Sequence, residues 1–293
     1  ALTVTVKTKS SPSVAGFHCQ VGLRTLEELS VASAPVAEGA ASGYVVRGST
    51  NTPLLKTRID IDGDLGTLDL TSAKATMAIN GGAITKASLF ATPSDVFNTS
   101  MPLGEGVADP SGEITITATG AATPAIDRKG TWYLWLTADI DAATPAGSVI
   151  SATLTEVTLG DTNFAVTGDN TVELPVKAGL SGTYTVGKSG DYTSFNAVRQ
   201  ALADGVEGAV TFEILDGSYN ENIFISDVKG TSESSPVTFR SQSGNRAAVV
   251  ITGSMPTSSV DIYAEPNPEY ISYHHEGMVQ VQRTPYVTFR DMT

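Results

Sequence analysis

The chain has 293 residues, 41% of them hydrophobic, and 31 Asp and Glu against 18 Lys and Arg give it a net charge of −13. That hydrophobic fraction excludes wholesale disorder, and the length holds two domains with cores of their own. So acidic a surface repels phosphate backbones and anionic lipid, which excludes nucleic acid and membrane insertion, and no apolar run reaches the roughly 18 residues that span a bilayer.

The opening Ala1-Leu2-Thr3-Val4-Thr5-Val6 alternates as a strand does and lacks the charged-then-apolar order of a leader. Residues 1–30 can stand apart as a leading segment. Cys19 is the one cysteine, so no internal disulfide forms. His18 beside it points to the opposite face of a strand, poor geometry for a nucleophilic pair, and Cys19 is expected to be buried and inert.

Short alternating runs follow: Leu54 to Ile61, Ala73 to Ile79, Glu113 to Ala118, Trp132 to Ile140, Val149 to Val157 and Val172 to Val176. Asp62-Gly63-Asp64 and Asn80-Gly81-Gly82 sit where positive φ is cheap and are expected to be hairpin turns. Strands at this spacing, without a long helical period, predict an antiparallel β-sandwich over residues 1–177.

Three motifs in this half carry two readings each. Asp60-Ile61-Asp62-Gly63-Asp64 has the acids of a calcium loop, but Leu65 and Thr71 stand where an EF-hand needs Gly and Glu. A strand running into a solvated turn explains the acids, and no metal is expected. Trp132, Tyr133 and Trp135 offer ring faces to sugars, yet alternation groups Trp132 with Leu134 and Leu136, and Tyr133 with Trp135, so core packing is expected. Asn98-Thr99-Ser100 fits a glycosylation acceptor, a pattern common by chance.

Taken in order, Gly48-Ser49-Thr50-Asn51, Leu54 to Ile59, Gly130 to Ile140 and Ala146-Gly147 resemble the β-sandwich module at the N-terminus of some bacterial BNR-repeat sialidases and other secreted bacterial proteins. The resemblance covers about residues 31–177, and Trp132 to Ile140 is its most specific segment. It implies a module that accompanies catalytic or adhesive domains and has no catalytic residues itself. The Asp-box repeats of a sialidase propeller do not occur, so sialidase activity is not implied.

Residues 178–184 read as a small-residue linker, and residues 185–293 as a second domain. Phe195, Val198 and Leu202 recur at i, i+3 and i+7, with Thr193 or Asp191 as N-cap and Gly205 as a stop. This predicts an amphipathic helix from about Thr193 to Asp204 that buries those three side chains. Val-Thr-Phe then occurs at 210–212, 237–239 and 287–289. The offsets of 27 and 50 predict about one and then two turns of a coiled β-solenoid. The repeat runs on to Thr293 without a polar cap. The chain is therefore expected to be part of something longer, its open end paired to another protomer or to further C-terminal coils.

Tyr192-Thr193-Ser194-Phe195, Asp216 to Ile223 and the repeated Val-Thr-Phe resemble the start of a right-handed parallel β-helix of the pectin-lyase-like superfamily, over residues 180–293. The fold expected for the whole chain is thus mostly β, an antiparallel β-sandwich followed by a helix-capped, truncated right-handed parallel β-helix. The superfamily holds lyases, hydrolases, esterases and non-catalytic adhesins, and none of these activities follows from the fold.

Residues 263–276 interrupt the coil rhythm as a Pro-rich loop with three Tyr, three Glu and two His. Long irregular loops on a rigid β scaffold often carry binding, and Tyr faces with carboxylates suit a polar sugar. Tyr263, Glu265, Glu269, Tyr270, Tyr273, His274 and His275 are the candidate ligand-binding residues. His274, His275 and Glu276 carry metal-ligand atoms, but three adjacent residues do not easily converge on one ion. A plain loop packed over the solenoid is the competing reading.

The sequence therefore predicts a non-catalytic region of a secreted or surface-attached bacterial protein, extracellular or on the cell surface, that binds glycans or host surface proteins. No catalytic residue, cofactor or metal is assigned. Two alternatives stay open. One is the N-terminal part of a polysaccharide lyase or glycosidase whose catalytic coils lie beyond residue 293, and the other is a structural spacer.

Overall fold

The structure, a computed structural model, describes residues 26–253 and 278–293. The expectations for the leading segment through residue 25, with His18 and Cys19, lie outside the described residues. The chain is mostly β. Its strands begin with β1 (Ser30–Val31), β2 (Val36–Ala40), β3 (Val45–Val46), β4 (Thr52–Asp62), β5 (Leu68–Ile79) and β6 (Ile84–Thr92). There follow β7 (Val107–Ala108), β8 (Gly112–Thr117), β9 (Ala125–Ile126), β10 (Gly130–Ile140) and β11 (Val149–Leu159). The first half closes with β12 (Thr162–Ala165), β13 (Thr167–Asp169) and β14 (Thr171–Lys177).

These strands form two seven-stranded sheets, one ordered β13-β2-β4-β10-β6-β7 with β1 beside β4, the other β3-β14-β11-β5-β8 with β9 and β12 attached. Most pairings are antiparallel. In β14 the residues alternate strictly: Val172, Leu174 and Val176 are buried while Thr171, Glu173 and Pro175 are exposed, as a half-buried strand requires. Both sheets feed one core, with Leu54, Ile59, Trp132 and Leu134 from the first against Leu70, Met77 and Leu154 from the second.

The two turns expected to be hairpins do something else. Asp62-Gly63-Asp64 joins β4 to β5 and Asn80-Gly81-Gly82 joins β5 to β6, and in both cases the joined strands lie in different sheets. The turns carry the chain across the core instead of folding it back on its neighbour. Positive φ is still needed. Gly63 has φ +105° and a Cβ there would lie 2.3 Å from the Glu28 carbonyl oxygen.

The second half opens with β15 (Leu180–Val186) and α1 (Phe195–Leu202), followed by β16 (Val206–Ile214), β17 (Gly217–Tyr219), β18 (Ile223–Ser226) and β19 (Val237–Ser241). β20 (Val249–Ile251), β21 (Val279–Gln282) and β22 (Val287–Arg290) complete it. Residues 180–184, expected to be linker, belong to β15, so only Ala178 and Gly179 separate it from β14.

Among the described residues every strand pairing in this half is parallel: β15-β16-β19-β22 in one sheet, β17-β20 in a second and β18-β21 in a third. The three Val-Thr-Phe runs stand in register, Val210 with Val237 with Val287 and Phe212 with Phe239 with Phe289. The interval of 50 residues is therefore one step of this ladder, not two, since β19 pairs directly with β22. The added length includes residues 254–277, which lie outside the described residues.

Ring centroids in the column are 5.0 Å apart between Phe212 and Phe239 and 4.8 Å between Phe239 and Phe289. Tyr184 of β15, 5.9 Å from Phe212, begins the same column. β21 and the turn after it leave Val279, Val281 and Tyr286 exposed.

The helix buries Phe195, Val198 and Leu202 in the second core, as the spacing predicts. Its N-cap is Ser194, not Thr193 or Asp191. Ser194 Oγ accepts from Ala197 N at 3.1 Å, and Glu221 Oε2 takes the Phe195 N–H at 2.9 Å, satisfying two of the orphan donors of the first turn. Asp191 is engaged elsewhere, accepting from the Thr185 amide and hydroxyl at 2.7 and 2.8 Å.

Candidate functional site at the junction of the two halves

Tyr263, Glu265, Glu269, Tyr270, Tyr273, His274 and His275 all lie outside the described residues. Trp132 is core, 2% exposed, with its indole N–H on the Arg128 carbonyl. Trp135 is also buried, beneath Phe97, and donates to Thr92 Oγ1 at 2.8 Å, which leaves only half-buried Tyr133 with a ring surface in solvent. Lys56 sits 5.4 Å from that ring's centroid and pairs with Glu38 and Asp95.

The acids near residue 60 are engaged in the fold. Asp60 accepts from Thr131, Asp62 from the Gly63 amide, and Asp64 pairs with Lys129. Asn98 Oδ1 accepts from the Ser100 amide at 3.1 Å. Among the described residues no group of three His, Cys, Asp or Glu is placed to hold a metal ion, and no helix is long and apolar enough to cross a membrane.

The contacts that bring side chains together from the two halves are built on β3. This two-residue strand pairs in parallel with the end of β14, Val45 with Val176 and Val46 with Lys177. Its flanking residues reach the second half. Arg47 meets Glu207 as a fork, Nε to Oε2 at 2.6 Å and Nη2 to Oε1 at 2.8 Å, while the Gly179 amide also donates to Oε2 at 2.9 Å. The Arg47 hydrogen bond holds the Glu207 carboxyl below its ordinary range, partial burial opposing it and the Gly179 N–H adding to it.

Tyr44 donates its hydroxyl to the Ala203 carbonyl at 2.6 Å. Two ammonium groups lie near its ring, Lys177 at 4.5 Å and Lys229 at 4.3 Å from the centroid. Lys177 pairs with Asp204 at 2.6 Å, and Lys229 bonds the Ser42 hydroxyl. Gly205, φ +84°, lets Val46 approach so closely that a Cβ would fall 2.7 Å from its Cγ2.

Beside this clasp lies a cleft of about 380 Å³. Ser42, Ser49 to Pro53 and Phe97 line one wall, and Asp227 to Ser232 with Arg283 line the other. The second wall is the bend after β18, where Asp227 and Gly230 take positive φ. A Cβ on Gly230 would lie 1.9 Å from the Val206 carbonyl oxygen, so only glycine fits. Arg283 grips Asp227 through two bonds of 2.6 and 2.8 Å, and this holds the Asp227 carboxyl below its ordinary range.

Burial holds the Lys229 ammonium below the ordinary lysine range, Asp227 opposing and Lys177 adding to the effect. The cleft thus offers hydroxyls on Thr50, Thr231 and Ser232, the Asn51 side-chain amide, a half-buried ring on Phe97 and a desolvated cation, while the hydroxyls of Ser42 and Thr52 are engaged by Tyr44 and Ser49. Such a lining can hydrogen-bond a polyol and stack one face of it. Ser49 contributes little, its hydroxyl being held by Val46 and Thr52. No local motif marks these residues in the sequence, because Arg47 and Glu207 are 160 positions apart.

No family model and no curated protein matches the chain. Among solved structures it is similar to the seventh ScaB type I cohesin from Pseudobacteroides cellulosolvens, at 10% identity and TM-score 0.22 over 50% of this chain and 93% of that one. BslA, a bacterial hydrophobin, matches at 12% identity and TM-score 0.19 over 54% and 100%. A family 123 glycoside hydrolase from Clostridium perfringens matches at 12% identity and TM-score 0.22 over 54% of this chain and 30% of that one. Scores this low define no shared family.

Proposed function

We propose that the chain is a non-catalytic, glycan-binding region of a secreted or surface-attached protein, built as a β-sandwich joined to the start of a right-handed parallel β-helix. The in-register parallel ladder with its three repeating sheets supports the β-helix reading, and α1 over the second core supports a cap. The observation that carries the binding reading is the cleft: hydroxyl and amide side chains from both halves face one space, with Phe97 on its wall. An acidic surface repels anionic membranes and nucleic acids but not neutral sugars.

The test is a binding screen against a broad panel of polysaccharides and host glycans, run with Phe97→Ala and Thr231→Val. Binding that both substitutions weaken supports the cleft. Binding indifferent to both removes it as the site, and no binding to any glycan sinks the reading.

A spacer role is the second reading, and the clasp favours it. Arg47–Glu207, Lys177–Asp204 and Tyr44 fix one half against the other across a connection of only Ala178 and Gly179. A region whose job is to hold other domains at a set distance needs such a joint and no ligand.

A further inference from the structure

The ionic inventory of the junction has one member out of balance. Arg47 has Glu207, Lys177 has Asp204 and Arg283 has Asp227. Among the described residues no carboxylate forms an ion pair with Lys229, whose ammonium meets the Ser42 hydroxyl and the Tyr44 ring; Asp227 acts on it only from beyond ion-pair distance and is already closed on Arg283. Its ammonium is half-buried at the cleft wall, and the neighbouring Lys177 adds a like charge. A desolvated cation without an ion-pair partner is costly, and an anion entering the cleft would supply one.

The chemistry of that anion follows from which donors are already committed. Planar carboxylates are best matched by the guanidinium fork, and both guanidiniums here are closed on internal carboxylates, Arg47 on Glu207 and Arg283 on Asp227. What remains at the cleft is a compact point charge with hydroxyls on Thr50, Thr231 and Ser232, Thr231 being held only by a 3.4 Å bond to the Val228 carbonyl, whereas the Ser42 hydroxyl is already donated to the Tyr44 carbonyl. That set suits a tetrahedral oxyanion with several terminal oxygens more than a planar one.

We infer that the cleft recognises a sulfate ester on a carbohydrate, with Lys229 as the anion contact and Phe97 against the sugar face. This deepens the glycan-binding reading and rests on it. The rest of the surface argues for a specific site, because a chain of net charge −13 repels a polyanion everywhere that a local cation does not override it.

The experiment uses three polymers with one backbone: dextran sulfate, carboxymethyl-dextran and unmodified dextran, titrated calorimetrically at two salt concentrations. Dextran sulfate is expected to bind, with carboxymethyl-dextran about tenfold weaker and dextran weaker still. Losing a charged hydrogen bond of this kind costs about tenfold or more, so Lys229→Met should weaken dextran sulfate by at least that factor and flatten its salt dependence. Lys188→Met, on an exposed turn outside the cleft, should change nothing.

Lys229→Met removes a charge that burial disfavours and is expected to fold, which circular dichroism verifies. Should it not, Lys229→Arg serves instead: retained binding with an unchanged salt slope supports the assignment, and a flattened slope counts against it. Equal binding of sulfated and carboxymethylated polymers overturns the choice of sulfate, and undiminished binding by Lys229→Met overturns the site. If dextran sulfate fails while neutral glycans still bind in a Phe97-dependent way, only this inference falls. If nothing binds at all, the glycan reading falls with it.

Discussion

Removing one ring from the aromatic column tests whether the second half stands on stacked, in-register turns. Phe239 is fully buried and lies between Phe212 and Phe289, with centroids at 5.0 and 4.8 Å. A buried Phe→Ala change costs about 3–5 kcal/mol, and losing two ring contacts at once places Phe239→Ala near the top of that range, at about 4–5 kcal/mol. Against a domain stability of about 5–15 kcal/mol that is a loss of about a third or more. Phe239→Leu keeps most of the volume and should cost about 1.5 kcal/mol.

Urea titration separates the two halves, because both tryptophans, Trp132 and Trp135, belong to the first. Tryptophan fluorescence therefore follows the sandwich-like half, while far-ultraviolet circular dichroism follows both. With m near ~2 kcal/mol/M, Phe239→Ala should move the fluorescence-silent transition down by about 2 M and leave the fluorescence midpoint in place. A circular-dichroism shift below about 0.5 M would refute the buried ladder. Equal movement of both signals would refute two separately cored halves.

Ser194→Ala removes the N-cap of α1 and should destabilise the second half by about 1 kcal/mol, read from the same titration. Gly230→Ala forces a side chain into a left-handed backbone against the Val206 carbonyl, and should cost about 2 kcal/mol or more while abolishing whatever the cleft binds. Arg47→Ala and Glu207→Gln each loosen the clasp, and a double-mutant cycle should find them non-additive, the second change mattering less once the first is made. Because Glu207 is held below its ordinary range in the folded chain, its contribution is complete above the unfolded value near 4.5 and is lost as pH falls through the lower folded value. Wild type should therefore lose stability in that acid window more steeply than Glu207→Gln, and parallel pH profiles would contradict the assignment.

Much of the fold is legible in short windows of sequence. Alternation finds β14 because one of its faces is wet, and i, i+3, i+7 spacing finds the buried face of α1. β6 shows no alternation of exposure: Ala87 through Thr92 are all buried, and the face with Ser88 and Thr92 also carries Phe90, so no wet face marks the strand. Three residues able to cap a helix precede α1, and the choice among them depends on Asp191 being drawn to Thr185, which spacing does not reveal. The Val-Thr-Phe repeat signals stacking, but a step of 50 residues looks like two turns when an insertion sits within one. The junction is least legible, since Tyr44, Arg47, Lys177, Glu207 and Lys229 meet only after both halves have folded.

The short connection between the halves also has a mechanical meaning. Two residues span at most about 7 Å when fully extended, so Ala178 and Gly179 cannot act as a slack spring. Tension pulling the two halves apart arrives undamped at Lys177. There it divides, because the Arg47 amide donates to the Lys177 carbonyl and the Arg47 side chain holds Glu207 on the far side. Backbone and side chains thus form a closed ring of load-bearing contacts around the joint, which must open before either core feels the full force.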